Sequence, residues 1–224
     1  MKCKQILLAL SFATCLGSSH AAVSGFTSKA AFDAAIAGLT DAQTVDFEAV
    51  ASGATFASGT GTGGLTFDYT IPGFTLQVSS TFGTTSGTNY LGLDNPDTAF
   101  NLGDSVTIQF GRTVHAVGLY VMAGNDALAG DFELSVANGL VLSSGTPDTL
   151  VSDGNAFYLG LVESDIGMGF TEATLRGVPA GTAYLAFTAD DITSAVSAVP
   201  EPGTYALMLL GVAALALQRR RARR

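Results

Sequence analysis

Between residues 44 and 188 the apolar side chains recur at every second position in short runs, a period that fits pleated strands and not helices. Val45, Phe47 and Ala49 alternate with Thr44, Asp46 and Glu48 over residues 44–50. Val106, Ile108 and Phe110 share one face, and Phe132, Leu134 and Val136 share another with Asp131 and Glu133 opposite. Similar runs cover residues 65–69, 74–78, 90–93, 140–143, 156–162, 171–175 and 183–188. Residues 114–122 are apolar on both faces apart from His115, the pattern of a central strand. Clusters of Gly, Asn, Asp, Ser and Thr separate the runs, the longest at residues 52–64. One helix precedes them, with Ser28 as its cap, Phe32, Ile36 and Leu39 on one face, and Gly38 at its end. About ten short strands without helix–strand alternation or an internal repeat predict an all-β chain. Its expected form is a single antiparallel β-sandwich, jelly-roll-like, with one short N-terminal helix.

The ends obey other rules. Met1-Lys2-Cys3-Lys4, an apolar run over residues 6–16, and small residues at Ser19 and Ala21 describe a secretory signal peptide. The expected cleavage by signal peptidase follows Ala21, or one residue later Ala22. At the other end, Val199-Pro200-Glu201-Pro202-Gly203 leads into an apolar stretch, residues 204–217, expected to be a hydrophobic helix. Arg219, Arg220, Arg221, Arg223 and Arg224 follow. Pro200 and Pro202 hold the chain extended, as entry into a processing enzyme's cleft requires. The apolar stretch is short for a permanent span and suits a transient anchor, with the arginines holding the end in the cytoplasm.

Residues 199–224 resemble the PEP-CTERM sorting signal of Gram-negative, exopolysaccharide-producing bacteria. Pro200-Glu201-Pro202 matches its motif, residues 204–217 its membrane segment and Arg219 to Arg224 its basic tail. The resemblance implies a transient inner-membrane anchor, processing by the membrane protease exosortase, and delivery to the cell surface or extracellular matrix. The chain thus divides into a signal peptide (1–21), a secreted domain (22–198) and the sorting signal (199–224).

The secreted domain keeps three cations, Lys29, Arg112 and Arg176, against eighteen acids, a net charge of −15. Such a surface repels nucleic acid and anionic lipid. Both cysteines, Cys3 and Cys15, fall in the signal peptide, so no disulfide supports the domain. Residues 106–193 are also similar to the galactose-binding-like, carbohydrate-binding sandwiches of secreted bacterial proteins. The similarity lies in residues 106–110 with 116–120, in residues 157–161, and in the closing Ala189-Asp190-Asp191-Ile192. It implies that the first and last strands are neighbours and that Asp46, Glu48, Asp190 and Asp191 hold a structural Ca²⁺.

Several chemistries are weighed against bland readings. Gly103-Asp104-Ser105 is similar to the nucleophile motif of one esterase family, but no Asp-x-x-His accompanies it, and a polar turn is expected. His115, the only histidine of the secreted domain, excludes a multi-histidine metal centre. Tyr69, Tyr90, Tyr120, Tyr158 and Tyr184 are available to stack on sugars. Residues 81–88 are Thr-rich as ice-binding surfaces are, and similar sorting tails occur on some bacterial ice-binding proteins; but no repeat spaces the threonines. The sequence therefore predicts a non-enzymatic exported protein with a structural or adhesive role in exopolysaccharide matrix or biofilm. A calcium-dependent carbohydrate-binding module is the alternative, ahead of an ice-binding protein or a secreted hydrolase.

Overall fold

A computed structural model describes residues 23–137, 139–165, 168–178, 185–197, 210–212 and 219. The expected signal peptide and most of the expected C-terminal hydrophobic helix lie outside the described residues. Among the described residues no helix is long and apolar enough to cross a membrane. The chain begins with β1 (Val23–Phe26), α1 (Lys29–Ile36), β2 (Thr40–Val45), β3 (Thr55–Phe56) and β4 (Thr66–Tyr69). Next come β5 (Leu76–Ser79), β6 (Tyr90–Leu93), β7 (Phe100–Asn101), β8 (Ser105–Val114) and β9 (Ala116–Ala123). It closes with β10 (Phe132–Val136), β11 (Val141–Ser143), β12 (Thr149–Val151), β13 (Gly154–Glu163), β14 (Phe170–Gly177) and β15 (Ala186–Val196).

These strands build two antiparallel sheets packed face to face, the sandwich that the alternation predicts. The larger runs β1-β13-β9-β15-β6-β5-β3, with β12 also on β13 and both β2 and β7 also on β15. The smaller runs β11-β10-β14-β8-β4. Every residue of β9 is buried, as its two-faced apolarity requires of a central strand. Its Val117, Leu119 and Val121 join Phe157, Leu159 and Leu161 of β13 on the inner face. Across the core the Phe132 ring meets Phe157 and Phe187, each at 5.3 Å between centroids. Each such ring buried from water contributes about 1.5–3 kcal/mol.

The other face of the larger sheet is covered too. Tyr120, Met122, Ala156 and Tyr158 point outward beneath Phe32 and Ile36 of α1. Phe32 fits there because Gly118 and Gly160 stand directly opposite each other in β9 and β13. A Cβ on Gly160 would lie 2.5 Å from Phe32 Cδ2, and one on Gly118 3.0 Å from its Cζ. The paired glycines are thus a notch for the helix's main anchor. The Ser28 hydroxyl makes no capping bond; only its carbonyl serves the helix, accepting from Phe32 N–H at 3.1 Å.

Three expectations need correction. The strand read over residues 44–50 ends at Val45, because Phe47 adopts φ +59° and drops its ring into the core while Asp46 accepts the Glu48 N–H at 3.2 Å. Asp190-Asp191 does not close the last strand, which continues to Val196. Finally, residues 52–64 are not one long loop, since Thr55 and Phe56 pair with Gln77 and Leu76.

β15 has three successive partners on one edge: β7 at Ala186–Phe187, β6 at Ala189, and β2 from Ile192 onward. Its register against β9 slips between Asp190 and Thr193, and Asp191 sits at φ +53°. This bulge falls where the neighbour changes, and it turns both aspartates toward the gap between β6 and β2.

Candidate functional site

That gap is filled by residues 84–89. Asp190, with no exposed surface, accepts through Oδ2 from the hydroxyls of Thr84 and Ser86, the latter at 2.9 Å, and from the Ser86 N–H at 3.3 Å. Its Oδ1 takes the Asp191 N–H at 2.7 Å. Asp191 accepts from the Thr85 hydroxyl at 2.9 Å. Burial raises the Asp190 pKa to about 7; hydrogen bonds from Thr84, Ser86 and the Asp191 N–H partly oppose this, and the Asp191 charge adds to it.

Glu48 works from the β2 side. Its carboxylate accepts the N–H groups of Asn89 and Thr88 at 2.6 and 2.7 Å, and these bonds lower its pKa. The Asn89 amide answers by donating to the carbonyls of Val50 and Phe47 at 2.9 and 3.3 Å. Glu48, Asp190 and Asp191 therefore anchor one Ser/Thr-rich loop, as residues near paired strands β2 and β15 should, while Asp46 accepts the Glu48 N–H. Among the described residues, however, no three His, Cys, Asp or Glu side chains assemble as metal ligands. The Asp190 oxygens are already served by four donors, an arrangement that fits a loop anchor. Thr84, Thr85, Ser86 and Thr88 spend their hydroxyls on the same acids and form no flat Thr array.

The other sequence candidates are dispersed. Ser105 is exposed at the start of β8, while Asp104 accepts the Asn101 N–H at 2.7 Å, the polar turn expected there. His115 lies just past the far end of the same strand, about 30 Å away by strand rise, so the two form no catalytic pair. The His115 Nδ1 instead accepts the Ser197 N–H at 3.1 Å. Tyr90, Tyr120 and Tyr158 are buried, and Tyr69 accepts the Leu76 N–H while donating to the Phe56 carbonyl. Tyr184 lies outside the described residues.

A cleft of about 280 Å³ opens on the larger sheet where β9 ends and β15 begins. Phe82 walls it, Met122, Val151 and Leu185 line it, and Thr188, Asp126 and Asp153 bring polar groups. Phe82 is 39% exposed and stacks on Tyr90 at 6.2 Å. Periodicity does not find these residues. Phe82 and Asp126 sit in connections, and Thr188 is a polar residue buried in a strand.

The strand directions place this cleft at one pole and both chain junctions at the other. β9 runs from Ala116 to Ala123, with antiparallel neighbours ending at Glu163 and Val196 beside its start. Val23 pairs with Glu163 at that same pole. About 25 Å of strand separates this pole from the cleft.

Residues 198–224 match the family model of the PEP-CTERM protein-sorting motif. The chain thus carries the signal that directs export and exosortase processing in Gram-negative bacteria, on an antiparallel β-sandwich. No curated protein sequence matches the chain. Among solved structures it is similar to the CBM22-1 xylan-binding domain from Paenibacillus barcinonensis. Identity is 14%, coverage 67% of this chain and 100% of that one, and the TM-score 0.35. It is also similar to a C-terminal family 22 carbohydrate binding module of Clostridium thermocellum, with 12% identity, 68% and 99% coverage, and TM-score 0.29.

Proposed function

We propose that the chain is a non-catalytic matrix or adhesive protein, sorted through its C-terminal signal and displayed with the cleft turned outward. The signal peptide, residues 1–21, starts export, with cleavage at Ala21 or Ala22. The sorting signal, residues 199–224, then holds the sandwich at the inner membrane through its apolar stretch and arginines until exosortase acts at Pro200-Glu201-Pro202. The released domain joins the exopolysaccharide at the cell surface or beyond it.

The observation that supports this reading is the common pole of the two junctions. Val23 and Ala195 are joined by Val23–Glu163, Val162–Ala116 and Ala116–Ala195 pairings, three strand spacings or about 14 Å. Ser197, held by His115, stands three residues before Pro200, a reach of at most about 10 Å. A folded sandwich can therefore stand on the membrane with either or both tethers intact, and no terminal strand has to peel away. The test replaces Pro200, Glu201 and Pro202 with alanine and follows the protein between membrane and medium. The variant is expected to stay in the membrane as precursor; release as ready as that of the wild type rules out exosortase processing.

A further inference from the structure

We propose that the cleft beside Phe82 is a binding site for one neutral sugar-like ring, a polyhydroxylated ring with an apolar face. Its volume, about 280 Å³, lies at the lower end of small-ligand sites and suits a single ring better than a folded chain. The wall is a rigid aromatic face. Phe82 lies at 25° to Tyr90, and Tyr90 is itself buried and tied to Thr98 through a 2.8 Å hydroxyl pair. Asp153 fixes the same wall by accepting the Gly83 N–H at 2.5 Å and the Ser152 hydroxyl at 3.1 Å. A ring with C–H groups on one side covers Phe82 and Met122 and removes both from water.

The polar groups choose among ring chemistries. Thr188 is 2% exposed and its Oγ1 has no hydrogen-bond partner among the described residues. A buried hydroxyl left unpaired is costly, and a ligand hydroxyl reaching the cleft floor would supply the missing bond. Asp126, at the rim, accepts further hydroxyls. No basic side chain lines the cleft among the described residues, and the domain carries −15, so phosphates and uronates are disfavoured. An amine gains little either. Asp153 is already bonded twice, and Asp126 is screened by solvent. A neutral ring remains.

This inference is independent of the sorting reading, since the cleft lies at the pole opposite both junctions. The test is saturation-transfer NMR on the full chain in a zwitterionic, sugar-free detergent, with neutral hexoses and pentoses beside the matching hexosamines and uronic acids. Neutral sugars are expected to show transfer, and the amino and acidic forms to bind more weakly. Phe82→Ala should weaken binding about three- to tenfold. Thr188→Val should weaken it comparably without lowering the melting temperature, because the lost hydroxyl has no partner among the described residues. No transfer from any neutral sugar, tighter binding of the charged forms, or affinity unchanged in both variants would overturn the proposal. A membrane-release defect without loss of sugar binding, or the reverse, separates the two readings.

Discussion

Asp190 makes this sandwich lose stability as the pH rises, against the usual behaviour of carboxylates. In the folded chain its pKa is about 7, up from the ordinary 3.8, chiefly because the carboxyl is buried. Above pH 4 the unfolded chain releases this proton while the folded chain keeps it. The unfolded state then binds fewer protons, and unfolding free energy falls with pH until about pH 7, where the folded state titrates too. The steepest slope is about 1.4 kcal/mol per pH unit, and the whole interval amounts to a ceiling of ~4 kcal/mol. Urea unfolding at fixed pH between 4.5 and 8 reads this directly. Asp190→Asn supplies a neutral side chain of the same shape. It should match wild type near pH 4.5 and exceed it at pH 8 by up to about 3 kcal/mol, after about 1 kcal/mol for one N–H losing its acceptor. Calcium and chelator should leave both curves in place. A wild-type stability that is flat or rising over this interval, or an Asn variant with the same slope, refutes the reasoning. A slope that disappears only when Ca²⁺ is added would show that the acids do take a cation.

Two packing predictions follow from the helix-covered face. Gly160→Ala drives a Cβ into Phe32 and should cost about 1–3 kcal/mol in chemical denaturation, and less in a Phe32→Ala background where the ring is gone. Tyr158→Phe removes a buried hydroxyl that has no partner among the described residues, so its melting temperature should equal or exceed that of wild type; a drop of several degrees would reveal a partner for that hydroxyl.

Alternation by itself specified most of this architecture. A strand with one apolar face needs a second sheet or a helix to cover it, and the β9 segment, apolar on both faces, had to be central. The helix around Phe32 and Ile36 was equally legible, because helical spacing is a local property. So was the C-terminal sorting motif, because its prolines, apolar stretch and arginines are read along the chain without any fold. Register is different: it couples residues far apart in the chain. Gly118 and Gly160 form a notch only because β9 and β13 pair at that offset. Asp190 is buried only because β15 bulges where one neighbour gives way to the next. In the sequence it is one acid among nineteen. The exposed aromatic ring that lines the cleft is likewise Phe82, in a connection, and not a tyrosine of the strands. Three-dimensional pairing decided that, and it also set the cleft and the two chain junctions at opposite poles, since strand direction relative to a neighbour is not written in either strand alone.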